Sequence, residues 1–422
     1  MREQTVRPGG RLAIVGAGVI GLSCAWRAAE AGWAVELVDP APGSGSSWVA
    51  GGMLAPVTEA WPGEEDLLEL GAESLRRWPA FAAELTEAAG RPAGLRTEGT
   101  VVVAAAAGDR AELDDLAGYL AKLDREVDRL TARELRRLEP SIGPDVRGGL
   151  SVPGDLAVDN RVLLAALRAA AERAGVRFVE ARAARVTADG VELADGADGE
   201  RIGAQRAGAG RDRRCVEADA VLIAAGAHSA GLHAGLDGLV RPVKGEILRL
   251  RHRAGALAPP SRTVRAVVDG RPVYAVPRDG GGLVIGATQY ETGFDTEPTV
   301  GGVRDLLRDA ERVLPGVAEY ALVEAAAGLR PGTPDNLPLI GSLAGGPLVA
   351  TGHGRNGMLL APITTVAVLA LLSGEPVPPA AAVADPARLA SGAPAALTGP
   401  AAPDDEAAPA DRAALTGPTA RR

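Results

Sequence analysis

The strongest constraint on this chain lies near its N-terminus, where residues 11–40 read RLAIVGAGVIGLSCAWRAAEAGWAVELVDP. An apolar run, Leu12–Val15, enters Gly16-x-Gly18-x-x-Gly21. A helical stretch follows, with Leu22, Ala25, Trp26 and Ala29 on one face, and stops at Gly32. A second apolar run, Ala34–Val38, ends at Asp39. This is a complete strand–turn–helix–strand unit around a glycine fingerprint. Gly16 allows the tight turn, Gly18 lets a pyrophosphate approach the backbone, and Gly21 lets the helix pack close to the strand. The unpaired N–H groups at the helix start, around Val19 and Ile20, and the helix dipole then hold a diphosphate. Asp39, 18 residues after Gly21, is placed to accept hydrogen bonds from ribose hydroxyls. A carboxylate there disfavours a 2′-phosphate and so argues against NADP.

Composition narrows the class. The 422 residues are 46% hydrophobic and 23% charged, which excludes disorder over most of the chain. Aromatics are only 3%, so the core must be built from Leu, Val and Ala. The net charge of −9 argues against a nucleic-acid footprint. Cys24 and Cys215 cannot make a disulfide framework. His228, His233, His252 and His353 show no metal-ligand spacing, so no metal is expected. The N-terminus carries no signal-peptide pattern. The apolar stretch Met358–Leu372 contains Pro362 and is too short and interrupted to span a bilayer, so a buried helix is expected. These features predict a cytoplasmic protein with no membrane or nucleic-acid partner.

From Arg11 to about Ala390 short Val/Leu/Ile runs alternate with amphipathic helical stretches, the pattern of an α/β fold with a largely parallel sheet. Residues 109–140 read as a solvated helical pair; Thr131 and Glu134 form a capping box for its second helix, and Pro140 stops it. The first ten residues read as a loose arm and 203–214 as an inserted surface loop. The segment 391–422 reads as a disordered Ala/Pro-rich tail, in which AALTGP occurs at 395–400 and again at 413–418.

The fingerprint alone leaves FAD and NAD open. Two segments favour FAD. Ser44–Pro56 (SGSSWVAGGMLAP) offers small residues, including Ser46, Ser47, Gly51 and Gly52, to a chain passing close to a ligand. Ala218–Gly226 (ADAVLIAAG) is a buried strand ending at Ala225 and Gly226, of the kind that returns to the nucleotide after a long insertion. A second βαβ half, usual in NAD dehydrogenases, is replaced by residues 91–150, which break the alternation.

Six segments, spread in order over about 11–375, resemble the D-amino-acid-oxidase-like flavoproteins, and most closely the glycine oxidases of thiamine biosynthesis. They are Gly16–Asp39, Ala50–Pro56 (AGGMLAP), Pro242–Glu246 (PVKGE), Tyr274–Thr288 (YAVPRDGGGLVIGAT), Gly328–Asp335 (GLRPGTPD) and Gly352–Pro362 (GHGRNGMLLAP). The resemblance implies a Rossmann-like FAD-binding domain from 11–90, 151–238 and 325–390. It implies a discontinuous antiparallel-sheet substrate domain from 91–150 and 239–324. It implies oxidation of glycine to an imine by hydride transfer to the flavin, with O2 reduced to hydrogen peroxide. The iminoacetate feeds thiazole formation or hydrolyses to glyoxylate and ammonia. It also implies a homo-oligomer, a tetramer. Sarcosine, D-proline and other small D-amino acids are alternative substrates, and a dehydrogenase is an alternative to an oxidase. A flavin-binding protein without turnover is disfavoured by Arg330 and Tyr274 together.

By the same resemblance Arg330 in GLRPGT is the carboxylate-binding arginine. A guanidinium pairs bidentately with a carboxylate and so fixes a substrate's orientation. Tyr274 supports the same carboxylate through its hydroxyl, and Arg355 contributes near the entrance. The N–H groups around His353, Gly354, Asn356, Gly357 and Met358 open an apolar helix toward the pyrimidine edge of the flavin. Met53 lies near the ring. Three positions depart from the family pattern: Gln289, Pro272 and His228. The first two bear on glycine selectivity; His228 is expected on the cofactor side. Lys244 in PVKGE, one of two lysines, either sits near the flavin or begins a strand.

Overall fold

A computed structural model describes residues 9–105, 108–194 and 215–389. The expected arm (but for residues 9 and 10), the 203–214 insertion and the 391–422 tail lie outside the described residues. Two large sheets organise the rest. The first has six strands in the spatial order Leu339–Ser342, Leu348–Thr351, Ala220–Ile223, Arg11–Val15, Ala34–Val38 and Arg177–Val179. All neighbours run parallel except the edge hairpin of Leu339–Ser342 with Leu348–Thr351. The strand Arg11–Val15 sits at the centre and is buried except at Arg11, as a strand covered on both faces must be.

The turn after this strand is as tight as the fingerprint requires. Gly16 has φ +103°, and a Cβ there would lie 2.4 Å from the Ala224 carbonyl oxygen. A Cβ on Gly21 would lie 1.8 Å from the Gly16 carbonyl oxygen, so the helix Val19–Glu30 can close on its strand only with hydrogen at this position. That helix packs against Asn160–Arg173 and Gly357–Ser373 in the main core. Its few buried aromatics include Trp33 and the group Trp26, Trp78 and Phe81, in which both tryptophans meet Phe81 edge to face.

The apolar stretch expected as a buried helix is Gly357–Ser373, with most of its residues buried. With the turn before it, Gly354–Ser373 is long and apolar enough by length and composition to cross a membrane, yet two-thirds of its most apolar stretch is covered by the rest of the protein. Pro362 cannot donate within it. The local irregularity is met by the helix Glu65–Ala89: Ser74 Oγ and Trp78 Nε1 both donate to the Leu359 carbonyl, at 2.6 and 3.0 Å.

The second sheet has eight strands in the order Ala321–Gly332, Arg241–Arg251, Gly282–Gly286, Arg271–Arg278, Thr263–Val268, Thr100–Ala104, Gly148–Val152 and Asp128–Thr131. It is antiparallel save for the Thr263–Val268 and Thr100–Ala104 pair. It exceeds the parallel sheet in strand number, which the simple alternation of apolar runs did not foretell. The twelve-residue strand Ala321–Gly332 pairs along its length with Arg241–Arg251, which sets 325–332 in this sheet. The expected helical pair is Asp109–Lys122 and Ala132–Leu138, and the Thr131–Glu134 capping box is formed in both directions.

Candidate active site

A cavity of about 970 Å³ runs along the carboxyl ends of the parallel strands, against the flank of the antiparallel sheet. The ends of open parallel strands are where α/β folds place ligands. Of the residues singled out from the sequence, Gly16, Gly18, Val19, Ile20, Asp39, Ser46, Ser47, Gly51, Gly52, Met53, Ala225, Gly226, Tyr274, Arg330, His353, Gly354, Arg355, Asn356, Gly357 and Met358 all line it. Gly21 does not; its place is the helix–strand contact described above.

At the fingerprint, Ala17 N–H donates to Asp39 Oδ2 at 2.7 Å and Ala41 N–H to Asp39 Oδ1 at 2.8 Å, so the carboxylate is fixed at the end of its strand with lone pairs to spare. Val19 N–H, in the first turn of the helix, donates to Ser47 Oγ at 3.0 Å. A polar cluster beneath the loop holds it in place. Asn160 donates to the Ser47 and Trp48 carbonyls at 2.9 and 2.8 Å, and buried Arg278 donates to the Gly51 carbonyl at 2.6 Å. Desolvation lowers the Arg278 pKa to about 10, and the guanidinium stays charged. The cavity wall at Gly16, Gly18, Gly51, Gly52, Gly226, Gly354 and Gly357 is bare backbone, with no side chain between peptide groups and cavity. Such a cradle fits a dinucleotide.

His353 stands just before the apolar helix, with Nε2 at 3.0 Å from Thr364 Oγ1. Burial pushes its pKa down to about 3, so the ring is neutral. The His228 ring is exposed and stacks on Phe294 at 4.9 Å. Its pKa is lowered by desolvation and then by Arg182, while Asp39 opposes. It thus belongs with Asp39 and Arg182 at the nucleotide part of the cavity.

The other part gathers Arg330 and Tyr274. Arg330 lies near the end of the strand Ala321–Gly332, in a ladder rather than a turn, despite its flanking glycine and proline. Its side chain lies over Gly245, where a Cβ would be 2.3 Å from Nη1. Tyr274 pairs directly with Gly286, and its ring covers that glycine so closely that a Cβ there would be 2.3 Å from the hydroxyl oxygen. The glycines of PVKGE and GLVIGAT are thus the floor on which the two polar side chains rest.

Arg330 donates a hydrogen bond from Nη1 to the Thr288 carbonyl at 3.2 Å. No carboxylate of the described residues stands within ion-pair distance of it. Desolvation lowers its pKa from 12.5, Tyr274 and Glu59 oppose that, and Arg355 adds to it. Desolvation raises the Tyr274 pKa, keeping the hydroxyl protonated as a donor, although Arg330, Arg278 and Arg265 pull the other way.

Arg355 is engaged differently: it pairs with Glu64 at 2.5 Å and donates to the Glu59 carbonyl at 3.2 Å. Glu64 also accepts from Asn336 at 2.7 Å. Lys244 faces away from the cavity, because Val243, Gly245 and Ile247 of the same strand line it and side chains alternate. It is fully buried, pairs with Asp295 and Glu246 and donates to the Glu297 carbonyl, pinning the loop that carries Gln289 and Thr296. Pro272 and Gln289 both line the cavity. Sequence reasoning missed Glu59, Trp61, Glu64, Arg182, Arg265 and Asn336, which line it too. Glu59 lies three residues past the small-residue segment Ser44–Pro56, and none of the six carried a local signal.

The family profile described as FAD dependent oxidoreductase matches residues 11–369. A glycine oxidase of Geobacillus kaustophilus (strain HTA426) is 34% identical over 373 residues, covering 86% of this chain and 92% of that one. A bifunctional protein ThiO/ThiG of Synechocystis sp. is 32% identical over 375 residues, covering 87% of this chain and 52% of that one. The crystal structure of glycine oxidase from Geobacillus kaustophilus superposes with a TM-score of 0.77 at 31% identity, covering 89% of this chain and 98% of that chain. The glycine cradle, the strand order and the extent of these matches lead to one conclusion: the chain belongs to the family of FAD-dependent oxidoreductases that includes the glycine oxidases.

Proposed function

We propose that the protein oxidises glycine to its imine and passes the electrons to O2, giving hydrogen peroxide. The observation that carries this reading is Arg330: a desolvated guanidinium in the cavity wall, with no carboxylate of the described residues paired to it, beside a protonated tyrosine hydroxyl. A cation in that state calls for an anion from outside.

The substrate carboxylate pairs bidentately with Arg330 and accepts a further hydrogen bond from Tyr274, which leaves the α-carbon one fixed orientation. Because Arg330 and Tyr274 rest on glycines of two adjoining strands, their spacing is set by the sheet rather than by flexible loops. FAD, when bound, supplies the acceptor for the hydride of the α-carbon. The residues that would hold it are Gly16, Gly18, Val19, Ile20, Asp39, Ser46, Ser47, Gly51–Met53, Ala225 and Gly226, with His353–Met358 at the helix start. The positive end of that helix favours negative charge there, and neutral His353 adds no charge of its own.

The names of the relatives support glycine as the substrate and the ThiO branch as the setting, in which the imine product is used for the thiamine thiazole. Pro272 and Gln289, which depart from the family pattern, line the cavity, so sarcosine and small D-amino acids are the alternative substrates to assay beside glycine. The test is anaerobic addition of glycine to the purified flavoprotein. The yellow colour is expected to bleach and to return on admitting air, with release of peroxide. Flavin that stays oxidised under glycine but bleaches with another small amine would transfer the reading to that amine.

A further inference from the structure

The Arg330 end of the cavity holds a second cation that the reaction outlined above does not use. Arg265 pairs directly across the ladder from Tyr274, so the two side chains share one face of the sheet, and both line the cavity. Glu59 approaches Arg265 from the loop of residues 55–59, with Oε1 at 3.0 Å from Nη1. Both side chains are largely buried, at 12% and 17% exposure. The contact is one of charge alone: Arg265 Nη1 has no hydrogen-bond partner among the described residues. The loop is pinned from below, where Asp155 accepts from Val57 N–H and Thr58 N–H and the Ala55 carbonyl accepts from Glu59 N–H.

Charges at this end can be matched one by one. Arg355 is answered by Glu64 and Arg265 by Glu59, with the buried Asp155 carboxyl, its pKa raised to about 7 by desolvation, also acting on Arg265, and Arg330 is left over. Glu59, Arg330 and Arg265 lie close enough to the Tyr274 hydroxyl to act on it electrostatically. With Glu59 in place, the cavity has room in its charge balance for one carboxylate; without Glu59 it has room for two.

We propose that Arg265 is an anion subsite filled by Glu59, and that this internal carboxylate restricts the cavity to amines carrying a single carboxylate. The proposal rests on reading Arg330 as the carboxylate clamp. A ligand with two carboxylates would then have to displace Glu59, which is tethered by its own chain. Removing the Glu59 charge frees a buried cation that gains strongly from a new counter-ion.

The experiment is calorimetric titration of the flavin-loaded protein with acetate, malonate, succinate and glutarate. For Glu59→Gln, the affinity for at least one dicarboxylate relative to acetate is expected to rise by about tenfold or more over the unsubstituted protein, as two tethered contacts replace one. Glu59→Gln/Arg265→Met is expected to lose that gain. Glu59→Ala serves as a second variant should glutamine disturb the loop, with the same expectation. The proposal is overturned if neither single variant raises the dicarboxylate-to-acetate ratio, or if the gain survives loss of Arg265. A faulty clamp reading would show differently, as acetate affinity in the unsubstituted protein that is indifferent to Arg330→Met.

Discussion

Replacing Arg330 by methionine removes the positive charge and keeps most of the side-chain volume. In the structure this guanidinium has one hydrogen bond, to the Thr288 carbonyl, and no ion-pair partner among the described residues. Little native structure is therefore lost, and a desolvated charge is removed, so melting temperature and flavin content should hold or rise. Binding should suffer. A carboxylate held by a buried, bidentate arginine loses about 3–5 kcal/mol when that partner is deleted, since the remaining charge is left unpaired. At about 1.4 kcal/mol per factor of ten, the glycine or acetate dissociation constant should rise by roughly 10²- to 10³-fold or somewhat more. The assay is anaerobic glycine titration followed by the visible spectrum, with acetate competition as a measure of binding alone. Affinities within about threefold of the unsubstituted protein, in a variant with full flavin content, would refute the assignment of Arg330 and the orientation argument built on it.

Further outcomes follow from other parts of the structure. Gly21→Ala should give protein without bound flavin or no soluble protein, because the new Cβ would stand 1.8 Å from the Gly16 carbonyl oxygen; flavin-to-protein absorbance ratio checks this. Lys244→Met leaves Glu246 buried without its cation and frees Asp295, so the loop 287–299 should exchange amide hydrogen faster and stability should fall by about 3–5 kcal/mol. Asp155 is fully buried, and desolvation pushes its pKa from 3.8 up to about 7. The native state thus holds a proton that the unfolded chain releases near pH 4. The stability this contributes is complete below pH 4 and is lost as pH rises through about 7, on the order of 4 kcal/mol. Asp155→Asn should flatten that decline, read as the slope of melting temperature between pH 5 and 8.

The first helix and its two strands could be read from residues 11–40 because each step there is local. The glycines dictate the turn, and the apolar period dictates which face packs. Tyr274 and Arg330 were legible only through resemblance. Both sit in strands, Tyr274 in Arg271–Arg278 and Arg330 in the long ladder Ala321–Gly332, where nothing in the local sequence marks them. Lys244 stood out by rarity, and the alternation of its strand turns it away from the cavity. Arg265 and Glu59 gave no sign of each other, being 206 positions apart in the chain.

What the sequence determined by itself, then, was the nucleotide cradle and the alternation of elements around it. Glycine spacing and apolar periodicity act over a few residues and need no distant partner. What only the tertiary structure decided was which charges meet. Antiparallel pairing sets Arg265 beside Tyr274 and folds Arg330 over Gly245, while a pinned loop brings Glu59 to Arg265. A guanidinium's role depends on whether a carboxylate reaches it, and that is settled by sheet register and burial rather than by its neighbours in sequence.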